Sequence, residues 1–271
     1  MWLACLLPPA SLCSQERHEE LLQQVPLPTG YLTEMVRIPA GSFPRGAEGE
    51  EFDEQPVRMI FLDEYLIDKY EVTAGQWGQY QEDTGVMIPE WTLQSSPKRR
   101  VHPIAFVTWY DAAGFCEWAG KRLPSEAEWE FCCRAGTTTA YSFGEKARSA
   151  NDKGNKASLA DPYAWHTGNA AGNDPPIGAK KPNAWGLYDM HGYLWEFVAD
   201  AWHPNYVGAP VDGSAWKADE KYVSRIIRSG SWRDRHPSLR SAVRVSIPDH
   251  AKSDAIGLRC VKATTGPASK K

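Results

Sequence analysis

The sequence predicts one α+β domain with much irregular structure, and three observations carry that expectation. Twelve tryptophans and eleven tyrosines stand beside 22 glycines and 20 prolines in 271 residues, a composition suited to loops packed on aromatic side chains. Helical spacing is confined to the stretch from Thr73 to Gly136, with strand-like alternation before and after it. From Thr137 to Trp185 the density of Gly, Asn, Asp and Pro predicts a long ordered loop region, which in a compact domain is usually functional or pinned by a metal.

Taken in order, the chain opens with "MWLACLLPPASLCSQ", an apolar run of signal-peptide length that lacks a basic n-region. Residues 1–28 are therefore expected to be a degenerate signal peptide and linker, with the protein secreted or periplasmic. The domain is expected over 29–263, and "TTGPASKK" suggests a flexible tail over 264–271. "MVRIPAGSF" and "VRMIFLDEYLIDKYEVT" alternate as strands do, bounded by Gly, Pro and acidic residues. Ala74, Trp77 and Tyr80 have helical spacing that stops at Gly85. Ala112, Phe115, Cys116 and Ala119 share one face of a second helix ended by Gly120. Ser125 and Glu128 form a capping box for a third, closed by Gly136. Strands return in "RIIRSG", "LRSAVRV" and "IGLRCVK".

Charge narrows the function classes. A net charge of −4 with 24% charged residues leaves no broad basic field, so nucleic acid is not an expected partner. No other run is long enough to cross a membrane, and there is no Gly-rich phosphate loop and no Gly-x-Ser-x-Gly elbow.

"PAGSF", "EQPVRMIFLDEYLIDKYEVT", "HPIAFVTWYDAAGFCEWAGKRLPSEAEWEF", "PNAWGLYDMHGYLWEF", "SGSW" and "GLRCV", in this order, resemble the formylglycine-generating enzyme family, also called the sulfatase-modifying factor domain. The resemblance implies the formylglycine-generating-enzyme variety of the C-type-lectin-like fold. It also implies an activity, the oxidation of a sulfatase cysteine to formylglycine with oxygen and copper held by two cysteines. Relatives include iron-dependent sulfoxide synthases, a pyoverdine-maturation protein, retroelement variable proteins and a paralogue without the catalytic cysteines, so each site needs checking by residue.

The resemblance puts the first copper cysteine at Asp234 and the second in a shortened loop around Pro237 to Leu239. No cysteine occurs between Cys133 and Cys260. Carboxylate and aliphatic groups cannot replace soft thiolates, so copper is not expected. Cys133 and Cys260 match a disulfide of some family members, with two buried free thiols as the alternative; Cys116 matches a buried helix position.

A structural calcium is implied at "GLYDMHGYLWEF", through Asp189, the carbonyls of Gly192 and Leu194, and Glu196, at a spacing that lets a turn wrap a hard cation. Tyr193 departs from the family's asparagine. The plain alternative is that Glu196 pairs with an arginine such as Arg228. Iron chemistry would need converging histidines with a carboxylate; His191, His236 and His250 with Asp234 or Asp249 are the material for it, though hydrogen-bonding histidines are the more ordinary reading.

Three readings follow. The first is an extracytoplasmic binding or accessory module whose pocket is rimmed by Trp195, Ser231, Trp232, Arg233, Arg235 and His236, suited to a peptide, protein, carboxylate or sugar ligand. The second is an oxidoreductase of altered chemistry, with Asp234, His236 and Ser231 as candidate catalytic groups. The third is a retroelement variable protein diversified around Trp232 to Asp254.

Overall fold

Among the described residues, a capping box starts each α-helix. Thr73 accepts the N–H of Gln76 while the Gln76 side chain accepts that of Thr73, opening α1 at Ala74–Thr84; Gly85, at φ 74°, ends it. Thr108 with Asp111 opens α2, Trp109–Trp118, and Ser125 with Glu128 opens α3, Glu126–Arg134. The computed structural model describes residues 21–89, 95–171, 175–218 and 224–264. Most of the expected signal segment and the tail from 265 lie outside the described residues.

β1, Leu22–Pro26, pairs antiparallel with β2, Leu32–Ile38. The domain thus begins before residue 29: the stretch expected to be linker buries Val25 and is sheet. β3, Gly41–Arg45, and β4, Arg58–Leu62, form a two-stranded ribbon. β5, Tyr65–Asp68, lies between β2 and β10, Val261–Ala263, giving the order β1-β2-β5-β10. The other four-stranded sheet runs β8-β7-β6-β9, from Val245–Pro248, Ser224–Arg228, Trp195–Ala201 and Ile256–Gly257; only its β6–β9 pairing is parallel.

Successive residues of this second sheet face different cores. Phe197 and Ile227 join the cluster of Trp77, Phe115 and Cys116, while Val198 and Ile226 join the cluster of Trp129, Ile60 and Ile67. A strand buried on both faces loses the alternation that marks a strand in sequence, which is why β6 was not expected there. The expected strand "LRSAVRV" is a strand only from Val245, because Ser241 and Ala242 turn to give their carbonyls to Arg228.

Arg228 is fully buried between two helix carboxylates. Its Nη1 donates to Glu126 Oε1 at 3.0 Å and its Nη2 to Glu130 Oε2 at 2.7 Å. Arg244 adds a bidentate pair to Glu126 at 2.7 and 2.9 Å, and Arg134 donates to Glu130 at 2.9 Å. Burial alone would raise the Glu126 carboxyl, but Arg244 and Arg228 outweigh it and bring it to about 2. Asp200 accepts the N–H of Glu126 and of Trp216; burial and the Glu126 charge push it up to about 7.

The disulfide differs from expectation. Cys260 bonds Cys116, not Cys133. Cys116 projects from α2 into the same core as Cys260, whereas Cys133 lies in the other core, its thiol donating to the Met190 carbonyl at 3.3 Å. Cys132 and Cys133 are buried free thiols, and burial pushes Cys133 up to about 12.

The link closes a separation of 144 residues, for which the chain-entropy model gives about 5 kcal/mol, so reduction should lower the melting temperature markedly. Peptide mapping should recover Cys116 joined to Cys260, with Cys132 and Cys133 alkylated only after unfolding. The carboxylates set a pH optimum. The stability from Glu126 is fully present above its unfolded value near 4.5 and is lost as pH falls towards 2. The raised Asp200 acts oppositely, costing stability as pH rises from 3.8 towards 7. Urea unfolding should therefore show greatest stability at about pH 4, between the two unfolded values.

Candidate functional site

After β7, Ser229 and Gly230, both at positive φ, turn the chain into the loop that carries Ser231 to Leu239. A Cβ on Gly230 would sit 2.4 Å from Leu239 Cδ2 and 2.9 Å from the Ser238 carbonyl, so only glycine lets the loop return this closely. The loop closes on Asp234. Its Oδ2 accepts three hydrogen bonds, from Trp195 Nε1 at 2.8 Å, the Ser231 N–H at 3.0 Å and Ser231 Oγ at 2.5 Å. Three donors on one oxygen make this carboxylate a clasp between β6 and the loop.

The expected rim residues are partly brought together. Trp195 and Ser231 are buried in the clasp, and Trp232 donates its backbone N–H to Tyr193 and its indole N–H to the Asp254 carbonyl. Arg233 lies 4.7 Å over the Trp232 ring and pairs with Asp254. Arg235 is exposed. His236 begins a 3-10 turn to Leu239, its carbonyl accepting from Tyr141. Burial and the Arg148 charge hold the imidazole below its usual range.

Other histidines are spoken for. His191 is buried, its Nδ1 2.8 Å from the Leu239 carbonyl and its Nε2 accepting the Ser142 N–H at 3.0 Å; burial pushes it down to about 4, so it is neutral. His250 is 82% exposed beside Asp249. Among the described residues no three metal-ligating side chains are preassembled.

The turn from Asp189 to Glu196 is strained, with Asp189, Gly192 and Tyr193 all at positive φ. Gly192 is required there, since a Cβ would lie 2.4 Å from the Trp165 carbonyl. Asp189 is buried; its Oδ2 accepts the Gly178 N–H at 2.9 Å, while Oδ1 has no partner. Glu71 is also buried, its Oε1 accepting the Leu194 N–H at 3.0 Å and its Oε2 left unpartnered. Burial, with Glu196 nearby, pushes Asp189 up to about 6, and burial with Asp189 and Glu196 holds Glu71 well above the usual range. Glu196 is not available in the same way. Both its oxygens go to Arg259, at 2.7 Å each, and Oε2 also takes the Trp129 indole N–H. Its partner is Arg259 and not Arg228. Nothing in the sequence singles out Glu71, which is one of three charged residues in "LIDKYEV" beside Asp68 and Lys69.

A family model described as "Sulfatase-modifying factor enzyme 1-like domain" matches residues 22–264. The chain is 31% identical to serine/threonine-protein kinase pkn1 of Chlamydia pneumoniae over 91% of its own length and 40% of the kinase, so it spans about two fifths of that relative. It is 28% identical to the formylglycine-generating enzyme of Thermomonospora curvata, over 83% of this chain and 92% of that one. Among solved structures, PvdO from Pseudomonas aeruginosa superposes with a TM-score of 0.72 and 32% identity, covering 86% of this chain and 95% of PvdO.

Removing the clasp should loosen the loop. Asp234→Ala strands the Trp195 indole and the Ser231 N–H, which should cost about 1–3 kcal/mol in urea unfolding and speed hydrogen exchange over residues 230–236. Exchange in Asp234→Ala that matched the parent would contradict the clasp.

Proposed function

The chain belongs to the sulfatase-modifying factor enzyme 1-like domain family, with the formylglycine-generating-enzyme variety of the C-type-lectin-like fold, and from that premise we propose that it is an extracytoplasmic binding or accessory module. It keeps the family's pocket without the copper route to formylglycine. The observation that carries this reading is Asp234. The residue that stands where the resemblance puts a copper cysteine is a hard carboxylate, whose Oδ2 is engaged by three donors. No thiolate ligand is offered at that position.

The face around this clasp suits recognition of an anionic or hydrogen-bonding group on a peptide, protein or sugar. Trp232 supplies a half-buried aromatic surface, Arg233 lies over it with 54% of its side chain exposed, and Arg235 extends the positive rim. The Cys116–Cys260 bond supports an oxidising compartment.

A structural calcium ion belongs to the same proposal. Glu71 Oε2 and Asp189 Oδ1 are the oxygens free to hold it, with the Gly192 and Leu194 carbonyls as further donors, while Glu196 acts through Arg259. A divalent cation would neutralise two buried carboxylates and fix the strained turn behind Trp195.

Purified protein given cysteine peptides and copper should consume no oxygen above the blank; turnover would overturn the reading of Asp234. Chelation should lower the melting temperature, and ligand linkage sets the scale, about 2.7 kcal/mol at a hundredfold excess over Kd. Glu71→Gln separates charge from structure. It should raise stability in chelator, by removing an unpaired buried charge, and abolish the gain from millimolar calcium.

A further inference from the structure

Two clefts meet at Arg240 along the acid-rich segment from Glu48 to Glu54, on residues that neither the clasp nor the cation turn uses. The larger, of about 530 Å³, opens between the 3-10 turn Phe52–Glu54, the loop at Pro237 and Ser238, and the start of β8. Its walls are largely apolar, with Trp202, Pro237 and Val243 inside, and Phe52 and Val245 at the mouth 69% and 37% exposed. The smaller, of about 250 Å³, lies beyond Arg240 against Pro44, Val57 and Ala140.

Their charge is one-sided. Arg240 is bidentate on Glu54 at 2.8 Å to each oxygen, and Arg244 is bidentate on Glu126, outside the cleft. Arg134 is committed to Glu130. Each cation lining the clefts holds a carboxylate, Glu126 and Glu130 being shared with the buried Arg228, and the six carboxylates of the two linings outnumber their three arginines. Glu51 and Asp53 in the larger cleft, and Glu48 and Glu145 in the smaller, add negative charge beyond that balance, while Glu50 reaches Arg240 only at 3.7 Å. Burial raises the Asp53 carboxyl even though Arg244 opposes it. An apolar trough bordered by surplus carboxylates fits a ligand that is both cationic and greasy.

We propose that this double cleft is a docking site for an extended peptide segment that carries a lysine or arginine beside an apolar side chain. The apolar side chain packs against Phe52, Trp202 and Val245, and the cation meets Glu51 and Asp53. A peptide suits the shape better than a small amine because the carboxylates continue on the far side of Arg240, where a second basic residue reaches Glu48 and Glu145. The site is separate from the rim at Trp232, so the two proposals stand or fall apart.

Fluorescence anisotropy with three labelled hexapeptides, alternating Lys-Leu, Lys-Ser and Glu-Leu, tests it on the whole chain. With the rim removed by Trp232→Ala, binding is expected for Lys-Leu alone, weakening with added salt. Glu51→Gln with Asp53→Asn, and separately Phe52→Ala, should each weaken it by about tenfold, while Trp232→Ala leaves it unchanged. Glu51 and Phe52 are exposed, so the variants should melt with the parent; if Phe52→Ala does not, Glu51→Gln alone carries the test. Failure of Lys-Leu to bind, equal binding of Lys-Ser or Glu-Leu in the Trp232→Ala background, or Lys-Leu binding indifferent to the Glu51, Asp53 and Phe52 variants would overturn the proposal. So would a phenethylammonium ion that competed as tightly as the peptide.

Discussion

The Arg228 guanidinium has no access to solvent, and its charge is met by Glu126 and Glu130 from one helix and by the carbonyls of Ser241 and Ala242 from one turn. This arrangement joins α3, β7 and the approach to β8 at a single point. Through Glu126 it also takes in Arg244, which reaches the carbonyls of Asp53 and His203. Desolvating so many charges offsets most of their attraction, so the network is poor evidence of high stability. Its effect is on specificity. Removing one member would leave another charge buried and unpaired, at a cost of about 3–5 kcal/mol, so alternative packings of these segments are strongly disfavoured.

The loop after β7 gets its shape from that anchor. With Ser241 and Ala242 fixed on Arg228 and Gly230 admitting the close return of Leu239, the segment from Ser231 to Asp234 has its two ends set before any of its own side chains act. Asp234 then closes it onto Trp195. A second buried pair, Arg259 with Glu196, does the same for the start of β6 and leaves Glu71 and Asp189 each with one buried oxygen unpartnered. Paired and unpaired buried charges are therefore neighbours in this fold. What distinguishes them is whether each oxygen already has a donor.

The helices were legible because their signals are local: Thr73, Ser125 and Gly85 act within four residues of themselves. β6 was not, because a strand between two cores carries no alternation. The disulfide was misassigned for a related reason. Cys116 and Cys133 lie on successive helices, and only the packing of those helices into different cores decides which faces Cys260. Glu196 was placed in the right turn, yet its partner Arg259 is brought to it across the parallel β6–β9 pairing and the residues that follow.

By itself the sequence determined the fold class and the capping boxes that start the helices, since these depend on short spacings and residue chemistry. The tertiary structure decided the Cys116–Cys260 bond, the pairing of Glu196 with Arg259, the burial of Glu71 near Asp189 and the two clefts around Arg240. Those depend on which distant segments share a low-dielectric interior. There a carboxylate must find a donor, a cation or a proton, and chain order does not say which.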